Sequence, residues 1–156
     1  MSTLRCDKCS GYYCFAGNWD ESKAPENCPM LLYPEIFACA RDRSLEEKVR
    51  ELNVPAAMVE KEGFAKIDGK NAPCYPRIRE IVEFAKKTGR THIGIAFCKS
   101  SSAEAKMIGD IFDSFGLDVD AVLCKCGGIS KNEVGIPEEY KVRGAGAFEA
   151  SCNPVT

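Results

Sequence analysis

The sequence predicts an α/β fold: a small parallel sheet in a Rossmann-like β-α-β arrangement, preceded by a cysteine-rich metal-binding arm and a helical linker region. Three observations predict it. Thr91-His-Ile-Gly-Ile-Ala-Phe-Cys98 is a strand-length run rich in Ile and Phe. In the polar stretch after it, Ala105, Ile108, Ile111, Phe112 and Phe115 recur at helical spacing. The stretch from Leu117 to Gly128 then reads as a second strand, ended by Cys124 and Cys126. One β-α-β unit of this length has parallel strands and a right-handed crossover.

The first element in chain order is an arm over residues 1–30, followed by an α/β domain over residues 31–156. The arm carries Cys6, Cys9, Cys14 and Cys28 among turn residues such as Gly11, Gly17, Asn18 and Pro25. It shows no hydrophobic period and cannot bury a core alone. A Cys-x2-Cys pair presents two thiolates from one tight turn to one ion, and two further thiolates complete a tetrahedron. Zinc and an iron–sulfur cluster both accept four thiolates, and the spacing matches neither ferredoxin pattern, which favours zinc.

Residues 31–72 read as mostly helical. Ser44 with Glu47 has the capping-box spacing, and Leu45, Val49 and Leu52 give a weak apolar face. Pro55 is expected to end that helix and open the next, with Ala56, Ala57, Val59 and Phe64 available for packing. Ile67 to Asn71 reads as a turn. Cys39 and Cys74 are expected to be small buried hydrophobes. Residues 76–88 form the clearest helix, with Ile78, Ile81, Val82 and Ala85 on one face, Phe84 beside it and Gly89 at its end. Glu80 and Glu83 read as its solvated side, and His92 as a hydrogen-bonded structural residue. Ser100, Ser101 and Ser102 offer N-cap hydroxyls to the crossover helix, and Gly116 offers its C-cap. Residues 129–147 read as a long loop with a short strand around Tyr140–Val142, returning Cys152 to the strand ends.

Ligands bind open parallel sheets at the carboxyl ends of their strands. Cys98 ends the first strand, Cys124 and Cys126 end the second, and Cys152 returns beside them. Three chemistries fit. The four thiols could form a metal centre, either an iron–sulfur cluster or zinc. Cys98, before a helix N-terminus, is the candidate catalytic thiolate. Ser100–Ser102 with Lys99, Lys125 and Lys131 could hold an anion. Glu104 stands where a thiol phosphatase needs arginine, and no G-x-G-x-x-G follows a strand, which excludes those two readings.

The formal net charge of −2 gives no global attraction to nucleic acid or to an anionic membrane. There is no membrane-spanning apolar run and no signal peptide. A cytoplasmic location follows, where ten cysteines mean metal ligation or thiol chemistry rather than disulfides. With His92 the only histidine, any site must be thiolate-rich, which selects soft metals. The expected partners are a small molecule or a redox protein.

The chain resembles a known family through Cys6-Asp7-Lys8-Cys9 with Cys14 and Cys28-Pro29, Tyr75 to Lys86, Ile93 to Cys98, Cys124-Lys125-Cys126-Gly127-Gly128 and Cys152-Asn153-Pro154. The family comprises uncharacterised cysteine-rich proteins of archaea and anaerobic bacteria, a domain of unknown function for which metal binding is the suggested role. The resemblance implies metal at Cys6, Cys9, Cys14 and Cys28 and functional weight on Cys98, Cys124, Cys126 and Cys152. Family members continue past Cys-Asn-Pro into a further helix and strand, whereas this sequence stops at Thr156. The resemblance therefore implies a fragment or a missing third strand. Two parallel strands leave open edges, which a homodimer would also relieve.

Two functions follow. One is a metal-binding protein with a structural thiolate site in the arm and a redox or enzymatic site at the strand ends. The other is a non-enzymatic, zinc-stabilised module binding a small anion or a protein partner. Transient metal storage on thiolates is a third role for the same residues.

Overall fold

A computed structural model describes residues 4–153. Pro154, which closes the Cys-Asn-Pro motif, lies outside the described residues. The chain is mixed α/β and divides into two compact units, Met1–Val54 and Pro55–Thr156. The expected boundary at residue 30 falls inside the first unit.

In the first unit, short 3-10 turns at Cys6–Lys8 and Glu21–Lys23 alternate with single helical turns α1 (Tyr13–Ala16) and α2 (Pro29–Leu32). Proline opens α2 and also α3 (Pro34–Ser44), where its missing N–H costs nothing. Cys28 is the only buried hydrophobic residue of this unit among the described residues. A unit this poor in core needs another source of stability.

Helix α4 (Glu47–Glu62) runs through Pro55, correcting the expected break. Ser44 does not cap α4, because it closes α3 and its hydroxyl donates to the Ala40 carbonyl at 2.7 Å. The turn at residues 67–71 is present, but it joins two unforeseen strands, β1 (Phe64–Ile67) and β2 (Lys70–Pro73). They pair antiparallel with Ile67 opposite Lys70. Asp68 (φ 50°) and Gly69 (φ 76°) adopt the two positive-φ positions of a primed hairpin turn. Phe64 therefore lies in a strand rather than a helix. Cys39 and Cys74 are exposed, not buried.

Helix α5 (Arg77–Lys87) leads into β3 (His92–Phe97), a 3-10 turn at Lys99–Ser101, α6 (Ser102–Ser114) and β4 (Asp118–Leu123). Strands β3 and β4 are parallel, from His92 opposite Asp118 to Phe97 opposite Leu123. Val82 and Ala85 of α5, Phe112 of α6 and Leu117 form the buried cluster. Ile93 and Ile95 of β3 and Val119 of β4 pack against it from one side of the sheet. The other side, bearing His92, Gly94, Ala96, Asp118 and Asp120, is exposed. There His92 Nε2 meets Asp120 Oδ2 at 2.7 Å, the structural hydrogen bond expected of this histidine. Ile81 is exposed. Glu80 and Glu83 are half-buried and ion-paired with Arg77 and Arg79, so they are not a solvated face.

Gly116, at φ 75°, closes α6 in the left-handed conformation, where the Leu117 N–H reaches back to the Phe112 carbonyl at 3.1 Å. No serine side chain caps the N-terminus of α6, contrary to expectation, and the Ser102 hydroxyl instead accepts from Lys99 Nζ at 3.2 Å.

After Cys126 the chain makes an ordered loop rather than a strand, with a 3-10 turn at Glu138–Tyr140. Lys141 is buried, and its ammonium donates to Glu138 at 2.7 Å and to the Ala147 carbonyl at 3.0 Å. The Lys141 ammonium and the Gly146 N–H hold the Glu138 carboxyl down to about 2, from an ordinary 4.5. A depressed carboxylate stabilises the fold above its unfolded pKa, and that contribution fades as pH falls toward the folded value. The protection factor of the Gly146 amide, its exchange relative to an unstructured chain at the same pH, is therefore expected to be high at neutral pH and to fall between about pH 4.5 and about pH 2. Protection that is unchanged across that window would contradict the assignment.

Candidate metal and thiol centres

All ten cysteines are free thiols. In the arm, a 3-10 turn brings Cys6 and Cys9 together, with the Cys9 N–H donating to the Cys6 carbonyl at 3.1 Å. Tyr12 adopts a left-handed conformation, φ 42° and ψ 42°, and turns the chain into α1, which carries Cys14. A Cβ at Gly11 would run into the Tyr13 ring, which would have to move aside. Cys28 precedes α2 and is buried.

Cys6, Cys9, Cys14 and Cys28 all line one cavity of about 370 Å³. Its other walls are Arg5, Tyr12, Phe15, Pro25, Pro29, Met30 and Phe37, so sulfur and hydrocarbon dominate. The Cys14 thiol donates to the Met30 thioether at 3.3 Å. Sequence reading passed over Met30, although its place two residues after Cys28 puts a soft donor beside the fourth thiol. Among the described residues, no three His, Cys, Asp or Glu side chains converge to hold a single metal ion.

In the second unit the strand ends bring three expected thiols together. Cys124 lies near both Cys152 and Cys98, close enough for each to influence its thiol. Parallel pairing places Cys98 and Cys124 just beyond the paired strand ends, and the Cys124 N–H donates to the Phe97 carbonyl at 2.8 Å. Cys152 arrives by the return of the loop. The Ser151 N–H donates to Ile129 at 2.8 Å and the Asn153 N–H to Cys124 at 2.6 Å. The Cys126 side chain is exposed and has no hydrogen-bond partner among the described residues.

The environments push the thiols apart. Ser100, through its side chain and its backbone N–H, favours the Cys98 thiolate and lowers its pKa. Desolvation, followed by the neighbouring Cys152 and Cys98, raises that of Cys124. A nucleophilic or ligating thiolate is therefore most accessible at Cys98. Ser100 was read from sequence as a helix cap, and its role beside Cys98 became visible only in the fold.

Of the lysines expected to hold an anion, Lys125 and Lys131 are engaged elsewhere, and Lys99 bonds within the expected set. Lys125 donates to the Ala150 carbonyl at 2.6 Å, Lys131 pairs with Glu149, and Lys99 bonds Ser102.

Among the described residues, no helix is long and apolar enough to cross a membrane. The chain is 29% identical over 152 residues to an uncharacterised protein of Methanocaldococcus jannaschii. That alignment covers 97% of this chain, while the chain spans 66% of the relative's length. No solved structure matches the chain at a significant level. A family model covers residues 28–156, from the last arm cysteine through the strand-end thiols, and the chain thus belongs to the family described as Protein of unknown function (DUF1847).

Proposed function

We propose that this chain is a soft-metal-binding protein of the reducing cytoplasm. Cys6, Cys9, Cys14 and Cys28 hold metal in the arm. Cys98, Cys124 and Cys152, with Cys126 adjacent, form a second thiol centre for redox or enzymatic chemistry, with Cys98 as its reactive thiolate. In this reading β3–α6–β4 acts as a Rossmann-like half, its strand ends serving as the ligand edge.

The observation that carries the proposal is the arm cavity. Four thiols separated along the chain line one space, in a unit whose only buried hydrophobic residue among those described is one of the four. Metal ligation supplies the folding free energy that such a unit lacks. Thiolates as the donor set favour zinc, Cu(I) or iron–sulfur over hard cations. The engagement of Lys125 and Lys131 weighs against a module whose role is anion binding.

The test is metal analysis of protein purified without oxygen, for the wild type and for Cys98→Ser. The wild type is expected to carry bound zinc or iron. Cys98→Ser is expected to keep the arm metal and the fold while losing whatever redox activity or second cluster the wild type shows. Wild-type protein that takes up no metal after supplementation, with its thiols all titrating freely, would refute the proposal.

A further inference from the structure

We propose that the arm is built for a [4Fe–4S] cluster rather than for a single zinc ion. This rests on the soft-metal reading above and names the metal group.

The argument is one of size. Zinc–sulfur bonds of about 2.3 Å set tetrahedral sulfur atoms about 3.8 Å apart, in van der Waals contact, with space between them for one ion and nothing more. The arm differs. Its four thiols surround a cavity of about 370 Å³, and no three of the acidic, thiol or imidazole side chains described converge on one ion. A cubane supplies its own iron and sulfide atoms to fill such a space, and each cysteine binds a different iron. Four thiolates are the number its four irons require.

The walls fit the same group. Tyr12, Phe15, Pro25 and Phe37 line the cavity with hydrocarbon, although Tyr12, Phe15 and Phe37 also face solvent, so a cluster here would be partly solvent-accessible, one of the factors that sets its potential. Met30 adds a polarisable thioether next to Cys14. Arg5 also lines the cavity, but its charge is already paired with the Asp7 carboxylate, so it adds no uncompensated cation beside the thiolates. The chain's one histidine, His92, lies in the other unit, so an all-thiolate set is what the arm provides.

Cluster uptake can be written as ligand exchange from a preformed [4Fe–4S] cluster held by small-molecule thiolates. Four iron–thiolate bonds to the small molecule break and four to cysteine form. The cysteine protons pass to the released thiolates, and no iron changes oxidation state.

The experiment offers the anaerobic full-length chain either zinc chloride or that synthetic cluster, and compares wild type with Cys14→Ser and Cys98→Ser. The wild type is expected to keep, through gel filtration, a brown visible absorption and iron with acid-labile sulfide in cubane ratio. Cys14→Ser is expected to cut the retained cluster by more than about a hundredfold, beyond the roughly 10–100-fold that loss of an outer-shell contact costs. Cys98→Ser should leave the arm's share unchanged, with helical circular dichroism reporting that each variant is folded. Zinc held tightly with no cluster retained would overturn this inference and leave the soft-metal reading standing. Retention of neither would overturn both. A cluster that survives Cys14→Ser but disappears with Cys98→Ser would place it at the strand ends and overturn the assignment to the arm.

Discussion

Phe112→Ala is expected to destabilise the unit Pro55–Thr156 by about 3–5 kcal/mol, the usual cost of removing a buried phenylalanine. Phe112 is 2% exposed and joins α6 to Val82 and Ala85 of α5 and to Leu117. Few other residues could absorb its loss, because the sheet buries one side only. Small domains have about 5–15 kcal/mol in total, so the variant should unfold at markedly lower urea. Phe148→Ala makes the control. Phe148 is 61% exposed, and its replacement should change stability by no more than about 0.5 kcal/mol. Equal urea midpoints for the two variants would mean that the core has been misidentified.

Loss of the metal proposed for the arm is expected to have the other large effect, and to act on a different part of the chain. Thiolate sites in small metal-dependent modules contribute about 10–16 kcal/mol of apparent binding energy that is also folding energy. The arm has little else: its remaining contacts are short turns and exposed pairs such as Arg5 with Asp7. A strong chelator, or Cys6→Ser, should therefore raise cleavage around Lys8 and Lys23 by about a hundredfold or more, as the open form comes to dominate. Sites in β3, α6 and β4 should keep their protection, since Val82 and Phe112 need no metal. An arm that resists protease equally with and without chelator would show that its order does not come from metal.

The parallel β3–α6–β4 unit was legible because its apolar residues keep strict periods. Ile93 and Ile95 alternate, Ala105, Ile108 and Phe112 follow helical spacing, and Gly116 stops the helix where a left-handed residue is needed. The nearness of Cys98 and Cys124 followed from topology, since parallel strands deliver their ends to one edge, whereas Cys152 comes in on the returning loop. The β1–β2 hairpin was missed for the opposite reason. Asp68-Gly69 announced a turn, but Lys70-Asn71-Ala72-Pro73 has neither alternation nor β-branched residues to announce a strand. Pro55 was read as a helix stop, yet the surrounding turns of α4 hold helical geometry despite the hydrogen bond its nitrogen cannot donate. Cys39 and Cys74 show that a cysteine's usual preference for burial says little where the helix or loop carrying it is exposed. Glu80 and Glu83 were read as solvated because a spacing pattern does not reveal which arginine will fold over a carboxylate.

The hydrogen bond from Asn153 to the carbonyl of Cys124 gives the strand-end centre a history as well as a shape. As the chain leaves the ribosome, Cys98 and Cys124 become neighbours as soon as their strands zip together, whereas Cys152 must wait for the entire intervening loop to be synthesised and closed. A nascent chain thus passes through an interval in which two thiols sit side by side without their third companion, the moment at which an oxidant or a stray ion could capture the pair.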